Sequence, residues 1–397
     1  MKRFVKIGLC ALALCACEAI KPTDFLSCPR GERNPSDDHP YTEEEPVVPG
    51  EELPVLPKNK DLYLCAVINS AEGGKQLALY KNGSRTLLLD CTIENRISED
   101  PDTHFLIDSL LFTTYKAEGK TYIKRNGESY IEFRHEAFVQ DMLQLDGEIW
   151  TMDLPMEESG FRVRKNGETV FSKKDGRPSD FYMDENNVCF SYSCQIADRK
   201  LIYLVKNEVE IQVSSISGGQ VLAARLIGGK LWTMERIGEQ YRLSDGEQFF
   251  PYFMPAGFSF LNAEILPLDD GSCMSILNMK SNYSEMCADL ICRGDNSTLT
   301  GSGIASYYYT EQSPERGICL SKDAQALYIS SLFEKEEYKL EGSRMLNRRC
   351  AVQQDGKLYA ALSYKDGTLP PFLWNEGEKM VYNIDGQFSA ISFALPR

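Results

Sequence analysis

Three histidines, thirteen cysteines and 58 carboxylate side chains hold most of the reactive chemistry in this 397-residue sequence. His39, His104 and His135 are too few and too scattered for a histidine-rich metal site or a Ser-His-Asp relay, and no Cys/His spacing fits zinc. Tandem carboxylates such as Asp269-Asp270 could do acid–base work, but no register selects one pair among so many, so a solvated surface is expected for them. Against the acids stand 43 Lys and Arg, a net charge of −15 that repels phosphate backbones and disfavours nucleic acid as a partner. The composition, 43% apolar and 25% charged, is that of a globular chain with a large core. No catalytic set, metal site or cofactor site is expected.

The chemistry that can be placed lies at the N-terminus. A basic start (Lys2, Arg3, Lys6) leads into an apolar run from Ile7 to Leu14, which is the anatomy of a secretory signal over residues 1–16 and is too short to span a bilayer as a helix. Leu14-Cys15-Ala16-Cys17 resembles the bacterial lipobox, and the resemblance implies a lipidated Cys17 whose acyl chains insert in a lipid bilayer. Glu18 rather than Asp after that cysteine resembles the outer-membrane sorting signal of enteric bacteria, with the periplasmic and cell-surface sides both open. Residues 17–58 then read as a tether. Eight of the eighteen prolines and ten acidic residues fall between Glu18 and Lys58, a composition that extends the chain to on the order of 100 Å.

Beyond Lys58 the sequence repeats every 42 residues or so. One column is a polar turn followed by an aromatic strand: Asp146-Gly147-Glu148-Ile149-Trp150, Gly228-Gly229-Lys230-Leu231-Trp232 and Asp355-Gly356-Lys357-Leu358-Tyr359, with weaker copies at Tyr63, Phe112, Phe190, Met274 and Tyr328. A second column ends a strand in a tight turn at Asn82-Gly83, Asn126-Gly127, Asn166-Gly167, Asn207-Glu208, Asp245-Gly246, Gly294-Asp295, Glu341-Gly342 and Glu376-Gly377. Asn-Gly and Asp-Gly supply the positive φ of two-residue hairpins, and the segments between them alternate. The pattern predicts an all-β fold, a β-propeller of four-stranded blades over residues 59–397, with eight blades preferred and seven as runner-up. The first repeat lacks an inner strand, and a surplus alternating segment, residues 387–394, is expected to supply it. The whole resembles β-propeller lipoproteins of the gut Bacteroidetes type, whose blades carry Leu-Trp-Lys-Asn-Gly-like turns.

In such a fold both tight turns of a repeat lie on one face, and the longer connections, at 278–286 and 301–317, lie on the other, where binding residues are expected. The aromatics of Pro251 to Phe260 and of Tyr307-Tyr308-Tyr309 are read as loop residues there, making Phe258, Phe260, Tyr307, Tyr308 and Tyr309 the ligand-binding candidates. Ser321 to Tyr328 resembles the sialidase Asp-box with Gln325 where glycine belongs, and is read as an ordinary inner-strand turn. Arg293-Gly294-Asp295 falls in the hairpin column and is read as a turn. Cys189 and Cys194, like Cys287 and Cys292, lie five apart on one strand and cannot bridge internally. Cys319 and Cys350, each nine residues before an aromatic of adjacent repeats, are the best candidates for a cross-blade contact.

The function read from this is a membrane-tethered cell-envelope propeller that binds a carbohydrate or protein partner without catalysis. A glycosidase or lyase using Asp, Glu or Tyr, and a structural accessory of an outer-membrane assembly, are the alternatives. Cells fed a palmitate analogue are expected to label this protein at Cys17, and label that survives Cys17→Ser would refute the lipid assignment.

Overall fold

The computed structural model describes residues 56–57, 59–197, 199–215, 218–268, 271–283, 287–300, 304–309, 316–321, 326–331, 337–355, 357–364, 367 and 369–396. The signal, Cys17, nearly all of the tether, and Asp269-Asp270 lie outside them. Within the described residues the strands form eight antiparallel sheets, numbered here in chain order. Sheet 3 shows the common plan: Ala137–Leu145, Glu148–Pro155, Phe161–Lys165 and Glu168–Lys173, each paired with the next. First strands of successive sheets lie beside one another, His104–Ile107 next to Ala137–Leu145 and Gln220–Ile227 next to Phe258–Pro267. The architecture is that of a β-propeller.

The two turn columns have distinct physical roles. Asn82, Asn126 and Asn166 adopt φ of +48°, +50° and +49°, and each also ties its hairpin to the start of the second strand. The Asn166 side-chain oxygen accepts from the Ile149 N–H at 2.9 Å while the Asn166 N–H donates to the Ile149 carbonyl at 2.7 Å. Asn82 does the same with Leu62, and Asn126 with Leu111. Gly167 is needed twice, for its φ of +88° and because a Cβ there would sit 2.6 Å from Ile131 in the outer strand of sheet 2. The column aromatics Trp150, Trp232 and Tyr359 are buried in the sheets.

Apolar clusters fill the spaces between neighbouring sheets. Trp150, Phe161, Phe181 and Phe190 join sheets 3 and 4; Trp232, Met234, Leu277 and Leu290 join sheets 5 and 6. Leu62, Leu64, Phe372, Trp374 and Phe388 join sheet 1 to sheet 8. Gly386–Ala394, which contains the surplus segment, pairs antiparallel with Asp61–Asn69, running from Asp61↔Ala394 to Ile68↔Gly386.

Several placements differ from the sequence reading. Tyr328 lies in the third strand of sheet 7, Ala326–Ser331, not the second, and Glu341-Gly342 follows the fourth strand, Glu337–Glu341. The Asp-box-like segment therefore joins second to third strand rather than first to second. This stretch has no Asn-Gly or Asp-Gly, so nothing in it marks the hairpin and the reading slips by a strand. Cys319 belongs to the second strand of sheet 7 and Cys350 precedes the first strand of sheet 8, so they are not in equivalent positions; Cys350 is a buried free thiol.

A chain truncated after Asp385 loses the strand paired with Asp61–Asn69. It is expected to melt at a markedly lower temperature and to self-associate through the exposed edge. A truncated monomer with an unchanged melting temperature would show that this pairing does not hold the fold together.

Candidate functional site

A single recurring irregularity shapes the axis of the molecule. The long first strands each carry a one-residue bulge, at Gln140, Ser179, Leu222, Leu261, Ala305 and, in the C-terminal strand, Ser389. A bulge leaves one residue out of the ladder and re-aims the next. In sheets 3 and 4 the next residue is an aspartate, Asp141 and Asp180.

Sheets 2 and 8 replace the bulge with a 3-10 turn, Pro101–Thr103 and Arg348–Cys350, just ahead of short first strands. Asp100 caps the former by accepting from the Asp102 N–H, and Asn347 caps the latter by accepting from the Arg349 N–H at 2.9 Å. The second turn then reaches across to distant sheets. Arg349 donates to the Gln140 carbonyl at 3.1 Å and the Asp102 carbonyl at 3.3 Å, with its guanidinium 3.9 Å from the Phe105 ring centre. Asn347 donates to the carbonyls of Pro101 and Ser389. Arg348 pairs with Asp141, 207 residues away in sequence. Between sheets 4 and 5, Arg225 pairs with Asp180 at 2.7 Å and lies 4.0 Å from the Tyr182 ring centre.

Arg348 and Asp141 both act electrostatically on Asp180, so the two ion pairs lie near one another along the inner edges of sheets 3 and 4. The Arg348 side chain is 57% exposed and those of Asp141 and Asp180 are 20% and 24% exposed, whereas Arg225 is buried. Burial raises the Asp180 carboxyl above the ordinary aspartate value; Arg225 and Arg348 act against that, and Asp141 adds to it. Among the described residues no group of three or more His, Cys, Asp and Glu converges to hold a metal. A cleft of about 340 Å³ is lined by Tyr63, Leu79, Lys81, Leu110 and Asn126, of which Lys81 pairs with Asp61 and Asn126 accepts from the Leu111 N–H.

The aromatic candidates are not loop residues. Phe258 and Phe260 open the first strand of sheet 6, half-buried against the core it shares with sheet 5, and the Phe260 ring lies 5.7 Å from that of Tyr241. Tyr307, Tyr308 and Tyr309 pair with Cys319, Ile318 and Gly317 in sheet 7. Parts of the stretches expected to be long loops are strand: Asn278 to Ser281 completes Cys273–Ser281 and Ile304–Tyr309 is itself a strand, while residues 284–286, 301–303 and 310–315 lie outside the described residues. The sequence reading passed over Asp141, Asp180, Arg225 and Arg348. It also missed Tyr283, which is 89% exposed with its ring against Gly257.

His104, beneath the 3-10 turn of sheet 2, donates from Nε2 to the Ser98 carbonyl at 2.8 Å, while its Nδ1 meets no hydrogen-bond partner. Burial brings its pKa down to about 4. In the unfolded chain it takes a proton near pH 6.5, so this histidine favours folding above that pH and the benefit is lost as pH falls toward 4. The loss is about 3 kcal/mol. Urea unfolding from pH 7 to pH 4 is expected to show a shallower decline for His104→Gln than for the parent; parallel declines would show that the histidine is not held neutral.

No family model and no protein of curated function matches this chain. Among solved structures it is similar to the dihydro-heme d1 dehydrogenase NirN, at 10% identity and a TM-score of 0.50, over 85% of this chain and 77% of that one. It is also similar to the β-propeller domain of the Trilobed protease from Pyrococcus furiosus (10% identity, TM-score 0.41, 72% and 96% covered) and to the polysaccharide lyase Uly1 (9%, 0.43, 74% and 89%). At such identities the likeness is one of fold alone.

Proposed function

We propose that this propeller is a non-catalytic binding domain, held at the outer membrane by lipid on Cys17 and presenting its long-connection face to a carbohydrate or protein partner. One observation carries the reading: the partly exposed inner-strand acids are paired to arginines, Asp141 to Arg348 and Asp180 to Arg225, an arrangement suited to holding a ligand rather than to moving protons. Phe258, Phe260 and Tyr307 to Tyr309, on the neighbouring first strands, are the aromatic contacts of this surface. A second reading has one observation in its favour. The raised carboxyl of Asp180 next to Asp141 suits the general acid of a glycosidase.

The two readings part in one assay. The full chain, incubated with a glycan panel, is expected to retain ligand without releasing shortened products. Alanine at Tyr307, Tyr308 or Tyr309 is expected to weaken retention by more than about 1 kcal/mol where the ring is an anchor. Product release that disappears in Asp180→Asn would establish the glycosidase instead.

A further inference from the structure

Tyr283 is the most exposed large aromatic or apolar side chain among the described residues, at 89%, yet the backbone that carries it is held in place. It follows Cys273–Ser281, the second strand of sheet 6, on the connection toward the third. The Asn282 N–H donates to the Gly257 carbonyl at 2.8 Å, and the Tyr283 N–H donates to the Ser281 hydroxyl at 3.2 Å. The ring lies over Gly257, where a Cβ would come within 2.9 Å of its Cε2 and 3.5 Å of its Cδ2, and where a φ of +86° already favours glycine. One side of the ring is thus set against backbone and the rest is open to solvent.

What such a ring can hold follows from its surroundings. The face of an aromatic ring is electronegative, and a pyranose whose hydroxyls lie at the ring edge turns C–H groups toward it. A ring so exposed is enclosed by nothing, which fits a sugar unit within a chain rather than a chain end seated in a pocket. Beside Tyr283 stand Ser259, Ser281 and Asn282, hydroxyls and an amide without charge. The Ser259 hydroxyl donates to Asn282 Oδ1, and both residues are exposed, so they can exchange hydrogen bonds with sugar hydroxyls. Lys280, the nearest charge along the strand, already has a partner. Phe253, 68% exposed, closes the fourth strand of sheet 5 four residues ahead of Gly257 and adds a second open ring on that connection. A protein partner would anchor such rings in a dry apolar surround, whereas Phe258 and Phe260, level with the end of Cys273–Ser281 in the ladder, pack toward the core shared with sheet 5.

We propose that Tyr283, set on Gly257, is a stacking platform for an internal pyranose unit of a neutral polysaccharide, with Ser259 and Asn282 bonding the hydroxyls at the edge of that unit. Tyr283 is the contact and Gly257 a positioning residue. This rests on the carbohydrate arm of the function proposed above.

The test runs the full chain through native gels cast with glycogen, mixed-linkage β-glucan, xylan, galactomannan or polygalacturonate, and reads Kd from the retardation at graded polysaccharide concentrations. At least one neutral polysaccharide is expected to retard the protein. Tyr283→Ala should weaken that binding about tenfold, the scale of a lost aromatic anchor, and Tyr283→Phe should keep it within about twofold, since stacking needs the ring and not the hydroxyl. Gly257→Ala should weaken it as well, because the added Cβ drives the ring from its seat. Tyr283 is exposed, so its variants keep the fold even where Gly257→Ala does not, and melting curves verify this. Neutral-polysaccharide binding unchanged in folded Tyr283→Ala would overturn the platform while leaving the carbohydrate arm intact, and equal losses in Tyr283→Phe and Tyr283→Ala would overturn stacking as its basis. Retardation by polygalacturonate alone would overturn the neutral ligand. No retardation by any of the five would overturn both this proposal and the carbohydrate arm.

Discussion

The inner strand of each described sheet, Gly386–Ala394 in sheet 1 and the first strand in the others, has a sheet neighbour on one side only, and the backbone groups on its open edge must find partners outside the ladder. The bulges sharpen this constraint, since each leaves a further residue unpaired. Two side chains of one turn meet part of the demand. Asn347 and Arg349 together satisfy the carbonyls of Pro101, Asp102, Gln140 and Ser389, which belong to sheets 1 and 3 and to the turn leading into sheet 2. The 3-10 turn Arg348–Cys350 is thereby fixed at the axis, and Arg348 is carried to Asp141 as a consequence. The site follows from the way the inner edges are closed.

Much of the fold was legible because positive φ has few residues that can supply it. Asn166-Gly167 announces a hairpin to any reader of the sequence, and its spacing from Asn126-Gly127 announces the repeat. What the turn also does was hidden. The hydrogen bonds from Asn166 to Ile149 and the approach of Ile131 to Gly167 depend on the second strand and on the preceding sheet, neither of which is adjacent in sequence. Where the turn residues are absent, as between 301 and 342, the reading lost its register and put Tyr328 one strand away from its place.

The site was illegible for a related reason. The bulged residues Gln140, Ser179, Leu222, Leu261, Ala305 and Ser389 share no chemistry, so no residue type marks the bulge, and the bulge is what turns Asp141 and Asp180 toward the axis. Their arginine partners lie 207 and 45 residues off. A bulge also breaks strict alternation, which is why Phe258 to Phe260 read as a loop although they open a strand with Leu261 bulged behind them. One signal was available: Asp141 and Asp180 occupy matching positions in consecutive repeats, five residues ahead of the Asp146 and Glu185 turns.

Ion pairs are common in this chain, and burial separates those that hold it together from those that can exchange partners. Arg164 and Asp153 meet at 2.7 Å with 8% and 0% of their side chains exposed, and the guanidinium is 4.2 Å from the Phe133 ring centre. Arg242 and Glu235 are similarly enclosed, and Glu235 also accepts from Ser215 and Thr233. Removing one member of such a pair strands the other in a low-dielectric interior, at a cost of about 3–5 kcal/mol. These pairs are spent on structure. Arg348 and Asp141 differ in one physical respect, access to water, and that makes their interaction weak. Arg225 and Asp180 sit between the two cases: a buried cation holds an anion that is still partly exposed. The gradient of burial across these pairs thus decides how far one kind of interaction, guanidinium on carboxylate, contributes to holding the fold together.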